Sequence, residues 1–83
     1  MILHTGISDY DLFIKIRHAQ ITLGGNASLR IYGALHCNSG KRMKKENRVF
    51  FQNEAEAILY DFRPCGHCMR TAYRQWKSEQ EAG

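Results

Sequence analysis

Proline is almost missing from this chain: Pro64 is the only one in 83 residues. Together with an apolar content of 43%, that scarcity excludes a disordered proline-rich tail and argues for a folded chain. Long apolar runs are missing too. No stretch approaches the ~18 consecutive apolar residues of a membrane span. Met1 to Ser8 has no cationic segment leading into an apolar run, so no signal peptide is expected. Repeats, low-complexity tracts and linkers are absent, and 9.6 kDa leaves room for one core, so residues 1–83 are expected to form one domain. A general base, a carboxylate pair and a phosphate loop are lacking as well, so nothing supports an enzyme with turnover. Asp9, Asp11, Glu54 and Glu56 read as first-turn helix charges.

Cysteine is scarce and odd in number, three in all. Without an export signal, that count points to a reducing cytosol, where clustered cysteines bind metal more often than they pair. A core this small rarely supplies more than about 3–5 kcal/mol, so a staple is expected, and the three cysteines and four histidines are its candidates.

Charge is concentrated. The chain carries twelve Lys and Arg against eight Asp and Glu, a net +4. Segment 41–48 holds Lys41, Arg42, Lys44, Lys45 and Arg48 against Glu46, so this one loop has the whole excess and the rest is neutral on balance. A basic loop on a neutral body is a candidate patch for an anionic ligand, nucleic acid or an acidic protein; the alternative is a solvated loop that keeps a small protein soluble.

Along the chain, Ser8 with Asp11 three residues later resembles a capping box, and Leu12, Phe13, Ile16 and Ala19 follow at helical spacing, which predicts a helix over about 9–20. Gly24-Gly25-Asn26 reads as a turn. Leu29, Ile31, Gly33, Leu35 and Cys37 alternate with Arg30, Tyr32, Ala34 and His36, a strand pattern that sets Cys37 and His36 on opposite faces. Val49-Phe50-Phe51 predicts a second strand, and Asn53 with Glu56 a helix to about Tyr60. Pro64 interrupts the chain. A third helix is expected after Cys65, with Met69, Ala72, Tyr73 and Trp76 on one stripe that Cys65 and Cys68 extend, and with 78–83 frayed.

Cys65 and Cys68 form a C-x-x-C at a loop-to-helix junction, a spacing at which two thiolates chelate one Zn²⁺. The tetrapeptide Cys65-Gly66-His67-Cys68 also fits a dithiol redox motif. Its position argues against that: fifteen residues follow Cys68, too few for the later strands of a thioredoxin-like domain, and no second proline exists to face the thiols. Two buried cysteines packed as small hydrophobes is the plain structural alternative, but it leaves Cys37 unexplained. One zinc on Cys37, Cys65 and Cys68 accounts for all three and supplies about 10–16 kcal/mol of apparent binding energy.

Glu46-Asn47-Arg48-Val49-Phe50-Phe51, then Glu54-Ala55-Glu56-Ala57, then Phe62-Arg63-Pro64-Cys65 and Cys68 follow one another in the order of a known pattern. From Cys37 to Cys68 the chain resembles the zinc-binding domain of Ada, the bacterial DNA-alkylation response protein, and its small stand-alone relatives; the first 36 residues match weakly. The resemblance implies one zinc held by two cysteine pairs, a DNA-facing surface near the metal, and a cysteine that accepts a methyl group from a DNA phosphotriester. Cys37 matches the second member of the first pair. Gly33 stands four residues earlier, where the other member belongs, and Asp61 replaces the usual glycine.

A structural zinc takes four ligands, so a fourth is sought among the histidines. His4 ranks first, carried by an N-terminal arm over the core, and His36 next; His67, water or an aspartate follow, and His18 reads as a surface residue. The expected fold is α+β: a two- or three-stranded antiparallel sheet with three helices, a helical arm over 1–27 and a zinc core over 28–77. The leading expectation for function is a cytoplasmic, monomeric zinc module that contacts nucleic-acid backbone through Lys41, Arg42, Lys44, Lys45 and Arg48 without turnover. A sacrificial alkyl acceptor on Cys37 and a protein-interaction module are the alternatives.

Overall fold

The computed structural model describes residues 1–35 and 43–82. The fold is α+β. Three helices, α1 (Asp9–Arg17), α2 (Glu54–Leu59) and α3 (Arg70–Ala82), surround a sheet of β1 (Ile2–Leu3), β2 (Leu23–Asn26), β3 (Ile31–Ala34), β4 (Arg48–Phe51) and β5 (Arg63–Pro64). The strand order is β1-β4-β2-β3-β5. All pairings are antiparallel except β3 with β5, which is parallel. The sheet is thus larger than the sequence pattern suggests, and mixed, because two of its strands are only two residues long and carry no periodicity to read.

Both helix starts expected from sequence are present. The Ser8 hydroxyl accepts from the Asp11 amide at 3.2 Å, and Asn53 Oδ1 accepts from the Glu56 amide at 2.9 Å. Glu56 Oε1 also accepts from the Gln52 amide at 3.0 Å, closing the second helix start from the other side. Helix α1 stops at Arg17, earlier than its apolar spacing predicts, because Ala19 turns to φ 57°. Its neighbours then bond back in a Schellman pattern, Ala19 N–H to Ile16 O and Gln20 N–H to Lys15 O. The residues at helical spacing divide in burial: Leu12 is half-buried, whereas Phe13 is 58% exposed.

The predicted turn at Gly24-Gly25-Asn26 is instead the central strand β2. The reversal falls on 27–30, where Asn26 Oδ1 accepts from the Ser28 and Leu29 amides. Glycine serves close approach here and not turning. A Cβ on Gly25 would lie 3.0 Å from both Ile31 O and Phe51 Cε2.

One face of the sheet carries the core. Tyr32, Val49 and Phe51 pack on Ala57 of α2 and on Phe62, with Leu23, Ala27 and Met69 at the margin. The Phe51 and Phe62 rings meet edge to face at 4.9 Å. Pro64 does not end the sheet. In β5 the Arg63 and Cys65 amides donate to Arg30 O and Tyr32 O, so the residue between them is the one whose N–H would point off the edge, and proline fits there. Helix α3 docks on β5 through the expected stripe: Met69, Ala72, Tyr73 and Trp76 are half-buried, and the helix runs through 78–82.

Candidate metal centre

Strand β5 delivers Cys65 directly to the sheet edge. Its amide bonds to Tyr32 O at 2.7 Å, and the turn that follows is closed by Met69 N–H on Cys65 O at 2.9 Å. Cys68 lies three residues on, just before α3. Both cysteines are half-buried. Each sulfur accepts a backbone amide: His67 N–H on Cys65 Sγ and Ala34 N–H on Cys68 Sγ, both at 3.4 Å. Amides aimed at sulfur suit thiolate ligands, whose charge they help to hold.

The opposite wall is Gly33 of β3. A Cβ there would fall 2.6 Å from Cys68 Sγ and 3.1 Å from Cys65 Cβ, so β3 closes on the thiols only because residue 33 has no side chain. Leu35 follows the end of β3, two residues before Cys37 in sequence, and the Arg48 guanidinium donates to Leu35 O at 3.3 Å at that exit. The donor set, half-buried with amides on both sulfurs, fits a thiolate-bound metal. Cys37, His36, Lys41 and Arg42 lie outside the described residues. Among the described residues, no cluster of three or more His, Cys, Asp or Glu side chains forms.

His4 is not brought to this place. It follows β1, at one edge of the sheet, while the thiols follow β5 at the other, with β4, β2 and β3 between. His4 instead meets Phe50 edge to face at 5.3 Å, with Nδ1 buried and lacking a hydrogen-bond partner among the described residues. Burial, with Lys45 and Arg48 nearby, holds its pKa below the ordinary histidine value against a smaller opposing pull from Asp9. The expectation of His4 as fourth ligand rests on sequence alone; in the structure the N-terminal segment pairs as an edge strand beside β4. His67 and His18 are exposed.

The cationic candidates separate. Lys44 and Lys45 are exposed at a 3₁₀ turn that covers Lys45–Asn47. Arg48 is half-buried, stacked over Phe50 at 5.3 Å and bonded to Leu35 O, so it serves the fold. Two arginines with no sequence signal of their own also have inward tasks. Arg30 lies over Phe62 at 5.6 Å. Arg63 lies over both Tyr73 and Trp76, at 5.6 and 5.5 Å. The role of Gly33 also escapes a reading by ligand type, although a glycine inside an alternating strand signals close backbone approach.

Comparison with known proteins decides the family. The model for the metal binding domain of Ada matches residues 17–70. The chain belongs to that family. No curated protein sequence matches it. Among solved structures, the DNA methyl phosphotriester repair domain of E. coli Ada is similar at a TM-score of 0.56 and 20% identity, over 77% of this chain and 74% of that one. The shared fold spans most of both chains. The Ada-like domain here is a member of a zinc-binding family. None of its described helices is long and apolar enough to cross a membrane.

Proposed function

We propose that this Ada-like domain binds a single zinc through Cys37, Cys65 and Cys68 and contacts nucleic-acid backbone through Lys41, Arg42, Lys44 and Lys45, without turnover. The observation that carries the reading is the Cys65–Cys68 turn seated against Gly33. Two amide-bonded sulfurs meet the strand that leads to the third cysteine, and the position facing them has no side chain. Zinc bound there would fix β5, α3 and the exit of β3 together, which is the staple a core of this size needs. Lys44 and Lys45 are exposed, and the Arg48 guanidinium donates to Leu35 O at the exit of β3.

A second reading has support from the E. coli relative, whose solved domain is a DNA methyl phosphotriester repair domain. In it, the Cys37 sulfur takes a methyl group from a phosphotriester oxygen, which departs with the bonding electrons as a phosphodiester. Gly33 argues against an acceptor of the full family type, since the first cysteine of the family's pair is missing.

Native mass spectrometry before and after chelation, followed by intact mass after incubation with DNA carrying methyl phosphotriesters, separates the two readings. One zinc and no mass gain is expected. A stoichiometric gain of one methyl group on Cys37 makes the protein an alkyl acceptor, and a metal-free protein with an unchanged cooperative melt ends both.

A further inference from the structure

Gly33 and Gly24 face each other across β3 and β2, so they share one side of the sheet. Their surroundings differ. A Cβ on Gly24 meets Leu35 Cδ2 at 3.7 Å and Val49 O at 3.8 Å, ordinary contacts. A Cβ on Gly33 would fall at 2.6 Å from Cys68 Sγ, far inside van der Waals contact, so something would have to shift. Backbone conformation does not demand the glycine, because no described glycine has positive φ. Only space does. One residue further, the Ala34 amide donates to the same sulfur.

The two thiols are therefore held in unlike ways. Cys65 Sγ takes its amide from His67, two residues away in its own turn. Cys68 Sγ takes its amide from a strand 34 positions earlier. The first bond forms wherever the turn forms. The second forms only while β3 lies against the turn, and β3 lies there only because residue 33 is glycine.

We infer that Gly33 is a positioning residue of the metal centre: its missing side chain lets β3 approach Cys68 and aims the Ala34 amide at that sulfur. This rests on the zinc reading above and adds to it. The amide bond draws electron density from the Cys68 sulfur and fixes its direction, as outer-shell donors do for metal ligands. A side chain at 33 would push the sulfur away from β3 and leave Cys65 with its own amide intact.

Protein labelled with ¹⁵N and loaded with ¹¹³Cd in place of zinc tests this directly. Scalar coupling from the metal to the amide protons of Ala34 and His67, passed through the N–H···S bonds, is expected in the unmodified chain. Gly33→Ala should lose the Ala34 coupling and keep the His67 coupling, with metal affinity down by about tenfold or more. Gly24→Ala, on the same face with ordinary contacts, should leave both couplings and the affinity unchanged. Bound cadmium with an uncoupled Ala34 amide overturns the inference alone. So does a Gly33→Ala protein that binds metal as Gly24→Ala does. If Gly33→Ala fails to fold, the unmodified chain still decides through its Ala34 amide. A chain that takes up no cadmium at all removes the zinc reading, and the inference with it.

Discussion

Asp61 sits at φ 63°, directly past the end of α2, and the chain bonds back there as it does past α1: Asp61 N–H to Ile58 O and Phe62 N–H to Ala57 O. A left-handed residue at this position is why glycine is usual in the family's pattern, and aspartate tolerates the region better than most side chains. Asp61→Gly removes the Cβ strain, at some cost in unfolded-chain entropy, and should stabilise by about 0.5 kcal/mol, a rise in Tm of about 2–4 °C. A thermal melt at fixed zinc checks it; a lower Tm would mean the carboxylate makes a contribution of its own. Tyr32 offers a second test at this scale. Its hydroxyl is buried and donates to Glu54 Oε2 at 3.2 Å, and burial first, then the charge and hydrogen bond of Glu54, push its pKa up to about 12. A tyrosine whose folded pKa exceeds its unfolded value keeps its proton in the fold after the unfolded chain has lost it. Stability from this group is complete below pH ~10 and falls as pH rises toward 12. Urea midpoints measured from pH 9 to 12 should drop less steeply in Tyr32→Phe than in the unmodified chain. Parallel curves would exclude Tyr32 as a cause.

Helix α3 shows how one element is built from a two-residue strand and a stripe. Arg63 in β5 projects over Tyr73 and Trp76, whose rings lie 5.8 Å apart one helical step from each other. A cation above two rings contributes about 0.5–1 kcal/mol beyond packing. A double-mutant cycle of Arg63→Met with Trp76→Leu should therefore return a coupling near that value in urea denaturation, and zero coupling would reduce the pair to mere proximity. The stripe itself, from Cys68 to Trp76, was readable because 3.6-residue spacing needs only local sequence. The same holds for Ser8 and Asn53, whose side chains act within their own turns. The Cys65–Cys68 pair was readable for the same reason. What escaped the sequence was non-local. Gly24 and Gly25 are alike to any turn rule, and only neighbours from other elements, Leu35 and Val49 at Gly24 and Phe51 and Phe62 at Gly25, mark them as strand residues. Ile2–Leu3 and Arg63–Pro64 are too short for a period of two to appear.

For the molecule as a whole, the metal and the charge are separable, and this allows their roles to be tested apart. Among the described residues the buried core is seven side chains, Ile21 and Phe50 beside the cluster of Tyr32, Val49, Phe51, Ala57 and Phe62, a small base for a chain of this length. Cys65→Ala or Cys68→Ala should abolish stoichiometric zinc and leave the protein largely unfolded by circular dichroism, since metal-binding energy of about 10–16 kcal/mol exceeds anything the core offers. A cooperative melt retained in Cys65→Ala would contradict that. The charge acts elsewhere. Of the five cations in segment 41–48, Arg48 is committed to Phe50 and Leu35 O, which leaves four for a polyanion. Backbone binding that engages all four on duplex DNA gives log K against log salt a slope of about −3.6, where five would give about −4.5. No aromatic side chain lies within the segment to stack on bases, so affinity should depend on salt and hardly on sequence. Replacing Lys41, Arg42, Lys44 and Lys45 by serine should flatten the slope while zinc stays bound. Arg48→Ser should instead loosen the fold around Leu35 and lower Tm, with little direct effect on the slope. A slope unchanged by the fourfold replacement would move the nucleic-acid surface off this loop. Absence of binding to DNA and RNA alike at low ionic strength would leave an acidic protein as the partner of these lysines.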